Sequence, residues 1–278
     1  MSNNTEEVAG IYGAETFVPA GKRRKISLIG AGNVATHLGV ALSKVADVVQ
    51  VVSRSMDSAQ RLSRLIGGEC RPGCDLDDLS PDSDLYLLSV NDDNIAAIAA
   101  ATADYPGIWA HTSGSVPAEV FADCKSSYGV FYPLQTFTRD VPVNISEVPF
   151  FIEGDSPETS EKLMSLARLL SPRVEYADSC RRRHMHVAAV FACNYADLMW
   201  LIADELLKKE GLDITYMMPL LKATLEKLND VSPREAMTGP ARRGDREVIR
   251  KHIEMLSGND REIYRMLADR ILDEFPYK

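Results

Sequence analysis

Apolar and polar positions alternate in two ways along the first two thirds of the chain. Short runs rich in β-branched and aliphatic residues, such as KISLI and DVVQVV, are typical of buried strands. The segments that follow them, NVATHLGVALSKV and MDSAQRLSRLIGG, have apolar residues close to helical spacing. The same alternation continues through DLYLLSV, NIAAIAAATADY, GIWAHTSGS, YGVFYPLQTF, VPFFIEG, SPETSEKLMSLARLL and RVEYAD. Strands that alternate with helices predict an α/β fold with a doubly wound, mostly parallel sheet.

The character of the sequence changes after Asp178. A basic cluster, Arg181–Arg183, is expected to be a solvated helix start rather than an anion clamp. Residues 183–209 are apolar almost all the way round, which is typical of a helix buried inside a domain or a dimer. Further segments at helical spacing are ITYMMPLLKATLEKLND, DREVIRKHIEMLS and NDREIYRMLADRILDEF. We therefore predict a flexible tail at 1–24, an α/β domain at 25–178 and an all-α domain at 179–278.

Net charge narrows the set of partners. The chain of 278 residues has a formal net charge of −9, and an acidic surface repels nucleic acid and anionic membranes. No apolar run approaches the roughly 20 residues that span a bilayer. The first residues also lack the basic and apolar regions of a secretory signal. We therefore expect a cytoplasmic protein that binds neither nucleic acid nor a membrane.

The five cysteines predict free thiols rather than disulfides, because their number is odd and the chain is large. Cys70 and Cys74 resemble half of a metal site, but the sequence has no second pair at ligand spacing to complete it. We therefore expect no metal ion, and free thiols fit a reducing compartment.

A glycine-containing turn, GAGNVATHLG, follows the first predicted strand and opens the first predicted helix. Gly30 permits a tight turn, Gly32 leaves the backbone open to a pyrophosphate, and Ala35 lets the helix pack closely on the strand. The N–H groups at the helix start, at Asn33 and Val34, are free to bind an anion. This context favours a Rossmann dinucleotide site over the alternative, an ordinary structural turn.

The end of the second strand indicates which dinucleotide binds. NAD sites usually place an acidic residue there, about 20 residues after the glycines, to bind the ribose hydroxyls. This chain instead has Ser53, Arg54 and Ser55. A guanidinium flanked by hydroxyls suits the 2′-phosphate of NADP, so we predict NADP as the cofactor. The alternative is a solvated arginine at a strand end.

Polar residues also follow two later strands, at the sheet edge where α/β proteins bind ligands. Val90 and Asn91 are expected beside the ribose and nicotinamide, although asparagine is also a common helix cap. His111, Ser113 and Gly114 lie in HTSGS, which resembles a nest for an anion or a carbonyl group of the substrate. A mere turn and a structural histidine are the alternatives there.

Further candidate residues lie in the rest of the chain. Gln135 follows a proline in PLQTF and either lines a substrate pocket or satisfies backbone groups at a bend. His186 and Asn194 lie near the start of the long apolar helix and within it, where a buried asparagine needs hydrogen-bond partners. Thr238 and Arg243 lie in TGPARRGD, which is either a substrate loop or a kinked joint between helices.

Several of these motifs occur together in one order: GAGNVATHLG, SRS, HTSGS, PLQTF, HVAAVFACN and TGPARRGD. In this combination the sequence resembles the bacterial Rossmann-like NADP oxidoreductase-like family of unassigned physiological role. That family is related to pyrroline-5-carboxylate reductase, to 6-phosphogluconate and β-hydroxyacid dehydrogenases, and to deazaflavin-dependent NADP reductases. The resemblance extends from about Lys25 to the end of the chain. It implies a Rossmann domain, a helical C-terminal domain, a homodimer formed through the helices, and an active site in the cleft between domains.

The resemblance also implies roles for residues of the long helix. Asn194 stands where the hydroxyacid dehydrogenases have their catalytic asparagine, but the place of their catalytic lysine is Val190. His186 is the best remaining acid or base, and reduction of an iminium ion needs less help from such a group. We predict an NADP-dependent oxidoreductase that transfers a hydride to or from a small polar substrate, an imine or a keto or hydroxy acid. The alternative, which the missing lysine favours, is an NADP-binding sensor or assembly protein without turnover.

Overall fold

A computed structural model describes residues 23–276, so almost all of the predicted tail at 1–24 lies outside the described residues. Contacts divide the chain into two compact units, and the division falls after Cys193. The predicted domain boundary at residue 178 lies where the last strand ends and the next helix begins. The contact division thus falls later than the change in sequence character, inside a long helical segment.

The first unit contains a sheet of eight strands among the described residues. Their bounds are β1 (Lys25–Ile29), β2 (Asp47–Val52), β3 (Arg71–Gly73), β4 (Leu85–Leu88), β5 (Ile108–His111), β6 (Tyr128–Pro133), β7 (Phe150–Gly154) and β8 (Val174–Tyr176). The strand order is β3-β2-β1-β4-β5-β6-β7-β8. Every neighbouring pair is parallel except β6 and β7, which are antiparallel. The predicted α/β class with a mostly parallel sheet is confirmed.

In the described part of the chain, four α-helices lie between strands, and a fifth follows the last strand. Their bounds are α1 (Asn33–Ser43), α2 (Met56–Ile66), α3 (Asp92–Ala101), α4 (Pro157–Arg168) and α5 (Ser179–Ala189). All four residues of β4 are buried, and they alternate between two apolar clusters, with Leu87 in one and Tyr86 in the other. Tyr86 stacks on Trp109 of β5 with ring centroids 4.4 Å apart. Burial of both faces explains why the central strands are almost continuously apolar.

The order of the strands reverses between β1 and β4. The chain proceeds outward from β1 through β2 to β3, and then returns to the other side of β1 with β4, β5 and β6. In open α/β sheets, ligands bind outside the carboxyl ends of the strands at such a reversal. The topology therefore places the first candidate site at the ends of β1 and β4.

The second unit is helical. Its helices are α6 (Tyr195–Lys208), α7 (Met218–Glu226), α8 (Pro233–Ala236), α9 (Pro240–Arg243), α10 (Arg246–Met255) and α11 (Gly258–Glu274). A π-helical turn at Val190–Asn194 joins α5 to α6 without a break. By length and composition alone the combined helix Ser179–Lys208 could cross a membrane. No residue of α6 is buried against the rest of the described chain, so of the two predicted surroundings of this helix, a domain interior and a dimer, the first is not observed.

Candidate functional site

The turn between β1 and α1 brings the end of β1 against the end of β4. Gly30 has a φ of 112°, and a Cβ there would lie 2.1 Å from the carbonyl oxygen of Ser89. The Gly30 N–H donates to the carbonyl oxygen of Val52, at the end of β2, over 2.8 Å. Both the backbone conformation and the close contact exclude a side chain. The requirement for Gly30 is therefore structural and independent of any ligand.

Gly32 differs from Gly30, because its own backbone does not require a glycine. Its φ is −80°, and a Cβ there would meet no atom of the described residues within 4 Å. Gly32 is the N-cap of α1, whose first bond runs from the Thr36 N–H to the Gly32 carbonyl oxygen. The N–H groups before Thr36 in the first turn therefore have no partner within the helix. Bare backbone and free N–H groups together form a cradle that suits a diphosphate.

A cleft of about 830 Å³ opens beside this turn, along the carboxyl ends of β1, β2 and β4. Its volume is within the range of small-molecule and cofactor sites. Besides Gly30, the residues predicted to bind the cofactor that line it are Gly32, Ser53, Arg54, Ser55, Val90 and Asn91. The structure thus brings together in one cleft residues that are separated by up to about 60 positions in the sequence.

Arg54 is the cationic side chain of this cleft. It is exposed at the end of β2, and it forms no hydrogen bond or ion pair with any residue in 23–276. Ser55 is the N-cap of α2, where its Oγ accepts from the Ser58 N–H at 3.4 Å and its O–H is left free to donate. An unpaired guanidinium next to a free hydroxyl donor fits a phosphate monoester. The donor set at the end of β2 therefore fits the 2′-phosphate of NADP.

Asn91 lies at the start of α3, on the other side of the cleft. It is the N-cap of α3, but its side chain makes no capping hydrogen bond and is exposed. Its amide is therefore free to hydrogen-bond a ligand, and Val90 beside it is half-buried. The alternative role of Asn91 as a side-chain cap is not observed.

The other three residues predicted at the cofactor site have different surroundings. Ala35 is fully buried and Val34 packs against the core, so their side chains join α1 to the sheet. Asn33 donates from its side-chain amide to the carbonyl oxygen of Phe137 at 3.0 Å. At these three positions, only the backbone N–H groups are available to bind an anion.

A contact absent from the sequence analysis fixes the PLQTF segment beside the glycine turn. His37 of α1 is buried, and its Nε2–H donates to the carbonyl oxygen of Thr138 at 3.0 Å. The His37 ring also packs on Phe137, with centroids 5.2 Å apart. These contacts hold Gln135 and its neighbours near α1, with the Gln135 side chain exposed and its Oε1 accepting from the Thr136 N–H. No local pattern indicates a bond between residues about 100 positions apart.

The HTSGS segment is an internally bonded turn. His111 is completely buried, and its Nδ1 accepts from the Ser113 N–H at 3.1 Å, so the ring proton is on Nε2, directed at the carbonyl oxygen of Pro117. Burial, followed by the charge of Arg182, lowers the pKa of His111 to about 3. Ser113 is also buried, and its Oγ accepts from two N–H groups of the turn. The predicted contact of His111 with substrate can therefore be only indirect, through the turn that its ring stabilises.

A buried ion pair joins α5 to the sheet. Arg182 is fully buried, contrary to the expectation that Arg181–Arg183 is a solvated cluster. Its guanidinium donates to the carboxylate of Glu153 on β7 and, over 2.6 Å, to the carbonyl oxygen of Val116. Glu153 also accepts from the Ser179 N–H at the start of α5. The expectation failed because the partner carboxylate is on a strand about 30 positions away.

The remaining predicted residues lie along α5 and in the helical unit. His186 is half-buried on α5, and its Nδ1 lies 3.1 Å from the hydroxyl of Tyr132. Asn194 is exposed at the end of the π-helical turn that begins at Val190. Thr238 and Arg243 are exposed in the segment around α9, where Gly239 and Gly244 have positive φ values of 99° and 72°.

No cluster of three or more metal-binding side chains occurs among residues 23–276. All five cysteines, which lie in the described part of the chain, are free.

Comparison with known protein families divides the sequence into two parts. Residues 16–134 match the family described as a Rossmann-like domain, and residues 148–271 match the domain of unknown function DUF2520. No curated protein matches the chain. The second match begins before β7, so it includes the last two strands of the sheet as well as most of the helical unit.

Solved structures extend this comparison. A candidate NADP oxidoreductase from Bacteroides fragilis is 38% identical, with a TM-score of 0.84, over 91% of this chain and 99% of its own. A reductive aminase from Aspergillus terreus, solved with NADPH and ethyl-5-oxohexanoate, is 16% identical, with a TM-score of 0.60, over 92% and 88% of the two chains. An imine reductase from Myxococcus stipitatus, solved with NADP⁺, is 14% identical, also with a TM-score of 0.60, over 90% and 92%. The last two likenesses concern the fold alone.

Proposed function

We propose that this chain, which joins a Rossmann-like domain to a DUF2520 domain and belongs to the same family as the Bacteroides fragilis protein, is an NADP-dependent oxidoreductase. It transfers a hydride to or from a small polar substrate, and an imine is the substrate class we favour over a keto or hydroxy acid. The reducing cytoplasm, where free cysteines persist, is the proposed location.

The observation that carries this proposal is the pairing of Gly32 and Arg54 in one cleft. Gly32 leaves a diphosphate cradle that a Cβ would fill, although the protein's own packing does not need a glycine there. Arg54 is an exposed, unpaired guanidinium at the end of β2 in the same cleft. A diphosphate and a phosphate monoester are the two anionic groups of NADP, so one ligand explains both features.

Calorimetric titration with NADPH and NADH tests the cofactor. We expect NADPH to bind more tightly than NADH by roughly ten- to hundredfold, because hydrogen bonds to a charged group contribute about 1.5–3 kcal/mol. Arg54→Ala should remove this preference. Arg64→Ala is the matched control, since Arg64 is an exposed arginine in the last turn of α2 and does not line the cleft. Equal affinities for the two cofactors in the wild-type protein would contradict the assignment of Arg54.

The residues of the α5–α6 helix favour an imine as the substrate. Bound NADPH would supply the hydride. Val190 stands where the related hydroxyacid dehydrogenases have a lysine, so this chain lacks their proton-transfer group. His186 is the proposed acid or base, and Asn194 the proposed hydrogen-bond donor to substrate. Asn194 is the last residue of the π-helical turn Val190–Asn194, and His186 lies one helical turn before its start. Such π-helical turns occur frequently at functional sites.

A substrate screen tests the reaction. NADPH oxidation should be observed with cyclic imines or with a ketone supplied together with an amine, and it should be weaker with keto acids alone. The absence of lysine at Val190 also supports a second candidate function, an NADP sensor or assembly protein. Intact NADPH binding without turnover on any of these compounds would favour that second function.

We also propose that the protein is a homodimer formed through its C-terminal helices. The apolar side chains of Leu201, on α6, and of Leu220 and Leu225, on α7, are more than half exposed. An apolar surface of this kind needs a partner, and a second copy of the chain is the partner that the family resemblance implies. Sedimentation velocity should show a dimer, and Leu201→Glu should convert it to a monomer. A monomeric wild-type protein would contradict this proposal.

We also propose that the protein binds neither a membrane nor nucleic acids. The candidate spanning helix Ser179–Lys208 includes Asp197 and Asp204, and the Asp204 carboxylate forms an ion pair with Lys208 at 2.6 Å. A second protein copy accommodates such groups at its rim, whereas hydrocarbon does not. Flotation with anionic vesicles should leave the protein in the soluble fraction.

A further inference from the structure

Two polar side chains from distant parts of the first unit meet beside the HTSGS turn. Tyr132 is near the end of β6, and His186 is on α5, about 50 positions later. The Tyr132 hydroxyl lies 3.1 Å from Nδ1 of His186, and the two rings meet edge to face at 71°. The bond involves Nδ1 of the imidazole, and the second ring nitrogen, Nε2, takes no part in it.

Gly114 confines the same imidazole from another side. A Cβ at Gly114 would lie 2.7 Å from both Cγ and Nδ1 of His186, which is closer than real side-chain contacts allow. The imidazole therefore lies directly on the backbone of the HTSGS turn. The Nε2 atom has no hydrogen-bond partner among residues 23–276, and His186 is only half-buried.

The ion pair on the preceding turn of α5 fixes the position of the histidine. Arg182 lies one helical turn before His186 and binds both Glu153 and the carbonyl oxygen of Val116. Val116 follows the HTSGS turn directly, so helix, strand and turn are joined at one point. Rotation of α5 about its axis would break these bonds, and the imidazole is therefore held in one place relative to Tyr132.

Burial leaves the phenol of the pair protonated. Tyr132 is buried, and this burial raises its pKa to about 12. The positive charge of Arg182 lowers the pKa by a smaller amount, and the negative charge of Asp92 raises it slightly. Arg182 is itself paired with Glu153. The hydroxyl oxygen of a phenol that keeps its proton can accept a hydrogen bond from Nδ1–H. It therefore satisfies Nδ1–H in both charge states of the imidazole.

From this geometry we propose that Tyr132 is a positioning residue that holds Nδ1 of His186, so that Nε2 alone exchanges a proton with the substrate. The inference rests on the proposed reductase function. In the reduction of a neutral C=N or C=O bond, the hydride from the cofactor forms the new C–H bond and the cofactor is oxidised. The Nε2–H bond of the imidazolium breaks, and its proton goes to the nitrogen or oxygen of the substrate. The imidazole becomes neutral, and solvent returns the proton for the next turnover.

Nitrogen-15 NMR of the histidine rings tests the pair without any substrate. In the wild-type protein at high pH, neutral His186 should be the Nδ1–H tautomer, because loss of the Nε2 proton leaves the Nδ1–H that donates to the Tyr132 hydroxyl oxygen. Tyr132→Phe removes only the hydroxyl, and it should shift the two nitrogen resonances toward those of a mixed tautomer. Tyr128→Phe is the matched control on the same strand, and it should leave both resonances unchanged. Unchanged His186 resonances in Tyr132→Phe would overturn the inference.

Kinetics with the best imine or keto acid from the substrate screen provide the second readout. Tyr132→Phe should lower kcat by at least about tenfold, with KM and the NADPH affinity unchanged, because one general acid contributes roughly 10²–10⁴-fold. Combining Tyr132→Phe with His186→Ala should be no worse than His186→Ala alone. A wild-type kcat in Tyr132→Phe would also overturn the inference. Failure of the wild-type protein to bind NADPH would instead refute the proposed function, and the NMR result would still stand.

Discussion

We expect very different effects on stability when alanine replaces each of the two glycines, Gly30 and Gly32, in the turn after β1. At Gly32 an added Cβ meets open space, and the backbone conformation is open to any residue. Alanine at this N-cap position costs on the order of 0.5 kcal/mol, because it caps less well than glycine. The reduced freedom of the unfolded chain offsets this by about 0.4–1 kcal/mol. Gly32→Ala should therefore leave the free energy of unfolding within about 1 kcal/mol of wild type.

Gly32→Ala should affect the affinity for the cofactor much more than it affects stability. The same Cβ occupies the place where a diphosphate oxygen would approach the backbone N–H groups of α1. Loss of one or two hydrogen bonds to a charged group corresponds to about 1.5–3 kcal/mol each. Gly32→Ala should thus raise the Kd of NADPH by roughly tenfold to more than a hundredfold. Calorimetric titration measures this change, and thermal unfolding without cofactor measures the stability.

Two further glycine substitutions provide the contrast. Gly30→Ala has strained backbone at positive φ and a collision with Ser89, so it should destabilise the protein by on the order of 1–3 kcal/mol from strain alone. Gly73→Ala is the matched neutral control, since its Cβ would make ordinary contacts of 3.5 Å with Gln50 and Val52. If Gly32→Ala folds normally and binds NADPH as tightly as Gly73→Ala does, the diphosphate is not held at this turn, and the reasoning fails.

Two predictions concern stability. Arg182→Met should lower the free energy of unfolding by about 3–5 kcal/mol in urea titrations, because it leaves the buried Glu153 carboxylate without its cationic partner. A loss below about 1 kcal/mol would show that the pair is not buried as described. Stability should also fall on acidification from about pH 6.5 to about pH 3, at no more than about 1.4 kcal/mol per pH unit, because the unfolded His111 binds a proton that the buried ring, with a pKa of about 3, does not. In His111→Asn this part of the slope should disappear, and an unchanged slope would exclude His111 as its source.

The strands were predictable from the sequence where both of their faces are buried. Strands such as β4 lie between two helical layers, so their residues are continuously apolar and stand out against the helices. The strand β3 was missed because it consists of Arg71–Gly73 and contains a proline. Proline normally argues against a strand, but at the edge of a sheet it removes a donor that would have no partner. Only the completed sheet shows that β3 is such an edge.

The candidate site was predictable where its residues follow neighbouring strands of the sheet. Gly32, Arg54 and Asn91 follow three strands that are neighbours in the sheet, so sequence reasoning about strand ends led to the cleft. Pairs joined by side chains across distant segments were not predictable. The bond of His37 to Thr138 and that of Tyr132 to His186 have no local pattern, because the two partners of each bond are at least about 50 positions apart in the sequence.

The position of Arg54 also determines the direction in which a bound dinucleotide would extend. If Arg54 at the end of β2 binds the 2′-phosphate, the adenosine half lies on the β2 side of the glycine turn. The nicotinamide half must then extend the other way, past Val90 at the end of β4, toward β5 and β6. Three strand spacings of about 4.8 Å separate β1 from β6, or about 14 Å in all. The hydrogen-bonded pair of Tyr132 and His186 lies on that side of the sheet, where hydride transfer would need a proton.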